Sequence, residues 1–258
     1  MATSTAHVQR PAAQDGTGTP NHLLIWLDRY IGVPNDYLLL KRAFFMTTDP
    51  TTGYEVSLTE MDIDHSIRTR EAIFVHLEGI QFMLRAFNTV DDCFEAIENN
   101  LDKRIFFITS GTKGRIIVPA LVAYFRDKFT DVRPMYIFCG NMNMITVGDV
   151  TPAHSWALDY VDHLLMFNHQ NDLLERMVLD IAEYFFTEAG RLHQAEQFEQ
   201  ARQHYHWAKR MLDRHERMTE RVIMAARRQE IERCLTDLEQ RLAQEHNETG
   251  DRPSEPCA

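Results

Sequence analysis

The sequence predicts an α/β domain with a five-stranded, mostly parallel sheet and helices on both faces, followed by an all-helical C-terminal extension. Three observations predict it. Apolar-rich stretches that read as strands recur at 23–27, 80–87, 104–109, 135–139 and 163–167, and the first, a continuous apolar run ending in Asp28, reads as a buried central parallel strand. The stretches between them carry helix caps and helical spacing. From Asn171 onward the apolar residues keep a spacing of three or four to the end of the periodic region.

The elements follow in order. Residues 1–21, rich in Ala, Thr, Gly, Pro and Gln, are too polar to bury a core and are expected to be a disordered tail. The first strand ends at Asp28. Asn35 or Asp36 caps a helix reaching Phe45. Residues 47–70 hold the turn signals Asp49-Pro50 and Thr52-Gly53 and read as a surface excursion. The segment 71–79 fits helix and strand equally. Thr89 caps a helix over 90–101 with Asp91 and Asp92 in its first turn. After the third strand comes a loop at Ser110–Gly114, then a helix over 115–129 that accommodates Pro119 near its start. Thr151 and Pro152 open a helix to Tyr160, and the fifth strand precedes the helical region. Its helices are expected at 172–193, around Phe198 to Leu212, and at 217–246, with 247–258 a polar tail. The domain boundaries are therefore 22–170 and 171–246.

Composition narrows the function classes. With 44% hydrophobic residues and a formal net charge of -11, the 258-residue chain has the makings of a core and a field that repels nucleic acid and anionic membranes. Cys93, Cys139, Cys234 and Cys257 form neither a CxxC nor a disulfide framework. The N-terminus lacks a basic region and an apolar core of signal-peptide type, and no apolar run approaches a membrane span. The expectation is a cytoplasmic protein. No His-x3-His or HExxH spacing occurs, and Glu60, Asp62 and Asp64 lack the glycine and final glutamate of a calcium loop, so no metal and no cofactor is expected.

One segment stands out. In Ser110-Gly111-Thr112-Lys113-Gly114-Arg115, two glycines free the backbone between a buried strand and a helix start, with two cations beside them. Amides and the helix dipole there suit a small anion such as phosphate. The sequence is neither Walker A nor the dinucleotide pattern, and a tight strand-to-helix turn wants glycine regardless. Ligands of open α/β sheets bind beyond the strand carboxyl ends, where Asp28, Asn141 and Asn168 are also expected. The candidate anion site is thus Asp28, Ser110, Gly111, Thr112, Lys113, Gly114, Arg115 and Asn141. No catalytic residue is assigned.

Residues 22–170 resemble the receiver domain of response regulators in strand order and character, which implies a flavodoxin-type strand order, 2-1-3-4-5. The phosphorelay residues are missing: the strands end Asp28-Arg29, Thr109-Ser110-Gly111, Cys139-Gly140-Asn141 and Phe167-Asn168, without the acidic pair, acceptor Asp or Lys. The resemblance implies a pseudo-receiver that keeps the fold and has lost the chemistry. Ala189, Leu192, Phe198, Ala201, Tyr205 and Ala208 resemble the core of one tetratricopeptide repeat of about 34 residues, which implies a hairpin that binds partner proteins. No second copy follows. The strand ends at Ser110 and Cys139 also resemble the caspase arrangement, with Ser110 where that family has its His and Cys139 where it has the nucleophile.

The leading expectation is a non-enzymatic signalling or scaffolding module that engages a protein partner through its helical tail and offers a sheet edge or a small-anion site. The alternative is a nucleotide- or phosphate-binding sensor, hydrolase or TIR-like glycohydrolase working at Ser110–Arg115. The third is a degenerate caspase-like cysteine peptidase relative built on Cys139.

Overall fold

The computed structural model describes residues 21–33, 35–46, 56–59, 72–139, 155–220 and 224–250. It is an α/β protein with a mixed eight-stranded sheet and a helical C-terminal region. The strands are β1 (His22–Leu27), β2 (Phe45–Met46), β3 (Val56–Ser57), β4 (Ile73–Leu77), β5 (Ile80–Phe87), β6 (Arg104–Ser110), β7 (Met135–Phe138) and β8 (Leu164–Phe167), in the order β3-β2-β4-β5-β1-β6-β7-β8. The chain divides into two compact units, Met1–Phe107 and Ile108–Ala258.

In the first unit, β1 is buried along its whole length and pairs in parallel with β5, from Leu23 opposite Met83 to Leu27 opposite Phe87. Helix α1 (Leu38–Ala43) and helix α2 (Val90–Glu98) follow β1 and β5. Thr89 is the N-cap of α2, and its hydroxyl donates to Asp92 Oδ2 at 2.6 Å. The segment that fits helix and strand equally is β4, antiparallel to β5. What decides it is the two-residue turn Glu78-Gly79, with φ of 53° and 75°. Two left-handed residues make a hairpin turn whose twist matches the strands.

The expected five strands are therefore eight, and three of them run antiparallel at one side of the sheet. Two of the additional strands are two residues long, too short to show a period. Phe45, expected at the end of a helix, belongs to β2, and part of the 47–70 excursion is β3.

In the second unit, β6, β7 and β8 pair in parallel, with Thr109 opposite Ile137 and Phe138 opposite Phe167. The loop expected at Ser110–Gly114 does not exist. Ser110 ends β6, and helix α3 (Gly111–Phe125) starts at the next residue, with Pro119 inside it. A short 3-10 helix occupies Ser155–Tyr160, where the end of an α-helix was expected.

The helical region consists of α4 (Gln170–Gln194), α5 (Phe198–Thr219) and α6 (Ala225–Gly250). The expected third helix thus begins later, and Arg217 to Thr219 complete α5. Asn247 to Gly250, expected in a loose tail, are helical. Leu173, Leu174, Met177, Val178, Ile181 and Phe185 of α4 are buried, as are Ala189, Ala201, Tyr205 and Ala208 at the hairpin. The turn between α4 and α5 places Glu196 at φ 59°, with the Gln197 amide donating to the Leu192 carbonyl at 3.0 Å. That is the Schellman geometry, built here without glycine. Ion pairs hold α6 to its neighbours: Arg227 forks onto Glu183 at 3.0 and 3.1 Å, Arg228 bridges Asp213 and Glu216, and Lys209 meets Glu232 at 2.9 Å. No helix among the described residues is long and apolar enough to cross a membrane. Of the expected N-terminal tail only Asn21 is described. Glu60, Asp62 and Asp64, and the expected helix start at Thr151 and Pro152, also lie outside the described residues.

Candidate functional site

The sequence-predicted site residues are divided between the two units. Asp28 belongs to the first, Ser110 to Arg115 belong to the second, and Asn141 lies outside the described residues. Asp28 is buried at the end of β1. Its carboxylate accepts the Tyr30 amide at 2.6 Å, and its own amide donates to the Phe87 carbonyl at 2.9 Å. The side chain closes the turn that leaves the strand.

At the start of α3 the glycines have a structural task. A Cβ on Gly111 would collide with Cys139 Sγ, and one on Gly114 would lie 3.3 Å from Ile137 Cδ1 and from Trp156 Cη2. The helix therefore comes down closely on the end of β7 and on the 3-10 helix, and a side chain at either place would require Cys139, Ile137 or Trp156 to give way. Thr112 and Arg115 are exposed and Lys113 is half-buried. The first turn holds no acidic residue, so cations sit at the positive end of the helix dipole.

Cys139 follows β7 and is buried beneath this turn. Burial pushes its thiol up to about 11, and the Gly111 amide, donating to the sulfur, offsets only part of that. A nucleophilic thiol needs the opposite shift. Cys93 is also raised by burial. Among the described residues, no group of three or more His, Cys, Asp or Glu side chains is placed to hold a metal ion.

A concave site that sequence reasoning missed lies elsewhere in the second unit. A cavity of about 360 Å³ is lined by Leu165, Met166 and Phe167 of β8, by Asp172, Glu175, Arg176 and Leu179 of α4, and by His215 of α5. Arg176 is committed: its Nε donates to both Asp180 oxygens at 3.0 Å, and Asp180 also accepts the Tyr136 hydroxyl at 2.8 Å. His215 is 3% exposed, its Nδ1 has no hydrogen-bond partner, and its Nε2 is 3.5 Å from Glu175 Oε1. A buried polar atom without a partner is costly and asks for an explanation.

The signal for His215 was present in the chain. Tyr205, Ala208, Leu212 and His215 step by three or four along the buried seam of α5, and a histidine stands where the seam calls for an apolar side chain. Asp172, Glu175 and Arg176, spaced by three and four, fall on one side of α4. Nothing local joins the two sets. No protein-family model, no characterised protein and no solved structure matches this chain.

Proposed function

We propose that this chain is a cytoplasmic, non-enzymatic signalling or scaffolding module, a pseudo-receiver domain whose tetratricopeptide-like hairpin helps to engage a protein partner. The observation that carries this reading is the cavity beside α4 and α5, an open concavity with an apolar floor, two carboxylates and a buried histidine. Such a mixed surface suits recognition. The strand order β5-β1-β6-β7-β8 supports the pseudo-receiver reading, because it is the 2-1-3-4-5 order with an antiparallel extension beside the second strand. The fit of Gly111 and Gly114 against neighbouring side chains supports packing as their purpose. The net charge of -11 disfavours nucleic acid as the partner.

The second reading, a phosphate or nucleotide sensor at Ser110–Arg115, is favoured by one observation. Lys113 and Arg115 sit at the start of α3 against the dipole, with no acidic residue in that turn. Affinity capture with the full-length chain and a thermal-shift panel decide between the two. The interaction reading expects a saturable, stoichiometric protein partner and no response to nucleotides, NAD-type dinucleotides or phosphate. A ligand at a hundred times its Kd adds about 2.7 kcal/mol, a rise of roughly 5–10 °C for a domain of this size. Such a rise, lost in Lys113→Ala, moves the sensor reading to first place. No retained partner refutes the interaction reading.

A further inference from the structure

The cavity has a direction. Three consecutive β8 residues line it, and consecutive strand residues point to opposite faces, so it runs along the strand rather than over one face of the sheet. β8 is the last strand in the order and, among the described residues, pairs only with β7. The Met135 amide donates to the His163 carbonyl and the Cys139 amide to the Phe167 carbonyl, both across the β7 side. By alternation, the peptide groups of Leu164 and Met166 face the other way, out of the sheet. Among the described residues no strand pairs with this outer edge, and an unpaired edge is a template for another strand.

Charge selects what fits. Arg176 is neutralised by Asp180, so the carboxylates of Asp172 and Glu175 are left to set the sign of the groove. Glu175 has only the long 3.5 Å approach of His215 Nε2, and His215 Nδ1 is buried without a partner. We infer that the groove takes an extended segment of a partner protein, which adds a strand to the outer edge of β8 through the Met166 peptide group and seats one Lys or Arg side chain between Asp172 and Glu175. Main-chain pairing supplies the affinity of this mode and the side-chain seat supplies its selectivity. The inference rests on the interaction reading above and specifies its partner.

The test is selection of peptides from a displayed random decapeptide library on the immobilised full-length chain, followed by fluorescence anisotropy of the enriched sequences. The expected winners carry one Lys or Arg within a run of β-forming residues. Met166→Pro removes the outward donor while leaving the β7 ladder intact, and it should weaken binding at least about tenfold where Met166→Ala does not. Glu175→Lys, at a half-exposed position that tolerates charge, should weaken binding by a similar factor, and a peptide with Glu in place of its basic residue should recover it. Winners without a basic residue, no winners, or indifference to Glu175→Lys overturn the proposal. Should Met166→Pro not fold, the charge exchange at Glu175 decides alone. A partner captured by the full chain and retained equally by Met166→Pro and Glu175→Lys removes this edge from the account and leaves the interaction reading standing. Capture of no partner by the unmodified chain removes both.

Discussion

Gly111→Ala tests whether the opening of α3 is built for packing or for a ligand. The added methyl would meet Cys139 Sγ, so the thiol, the helix or the chain at residue 139 must shift. Overpacking of this kind costs about 1–3 kcal/mol. Against it stands the helix preference of Ala over Gly, at most about 1 kcal/mol in a helix interior and less at a first position. The net expectation is a loss of about 1–2 kcal/mol. In a Cys139→Ala background the obstructing sulfur is gone, and the nearest remaining atom is the residue-139 Cβ at 3.8 Å, an ordinary contact. There Gly111→Ala should be neutral or slightly stabilising. Urea unfolding of the four proteins, with equal m-values, measures a coupling of about 1–3 kcal/mol. Equal cost in both backgrounds would refute the packing argument and return Gly111 to the anion-binding reading, since glycine would then be needed for something approaching its backbone.

Cys139 should resist alkylation in the folded protein: with its thiol near 11, about one in a thousand molecules carries a thiolate at pH 8, against roughly one in four for a free thiol. Peptide-resolved iodoacetamide labelling should therefore run at least about a hundredfold slower than on the unfolded chain, and rapid folded-state labelling would revive the peptidase reading. Glu196→Gly should raise stability by about 0.5–1 kcal/mol, because a left-handed residue with a Cβ is strained at φ 59°; a lower urea midpoint would contradict this. Burial between Phe185 and Trp207 holds the His204 imidazolium below the ordinary histidine range, in spite of its 2.8 Å contact with the Gln200 carbonyl. The unfolded chain then takes up that proton at higher pH than the folded one, so this contribution is present above about 6.5 and is lost as the pH falls toward the lower folded value. Urea midpoints from pH 7.5 to 5 should decline more steeply for the native chain than for His204→Gln.

The sequence carried the central strands clearly. β1, β7 and the middle of β6 are apolar runs buried on both sides, as central parallel strands are, whereas β5 alternates, with Gln81, Met83 and Arg85 on its less buried face. The antiparallel side of the sheet was illegible for two reasons. β2 and β3 are only two residues long, and the β4–β5 turn is Glu78-Gly79 instead of the Asn-Gly or Asp-Gly that announces a hairpin. At the start of α3 the glycines were visible but their cause was not. What they accommodate, Cys139 and Trp156, arrives from later elements, and a non-local contact leaves no local pattern. The same holds for the groove, whose histidine comes from a different helix than its carboxylates. The misfit of His215 in an apolar seam was readable, and it marked the place.

Helix α4 serves the strands and the hairpin at once. It starts three residues after β8 ends, its Asp180 is tied to Tyr136 of β7, and its far end carries the turn into α5. A helix of 25 residues is a stiff rod about 37 Å long. Mechanically it is a lever with its pivot at the strand, so a force applied at the hairpin tip is felt as torque on Tyr136 and on the β7–α3 junction beyond it. Exchange of the hairpin between proteins by recombination would have to supply a new partner for Tyr136, because α4 belongs to the hairpin and to the strands alike.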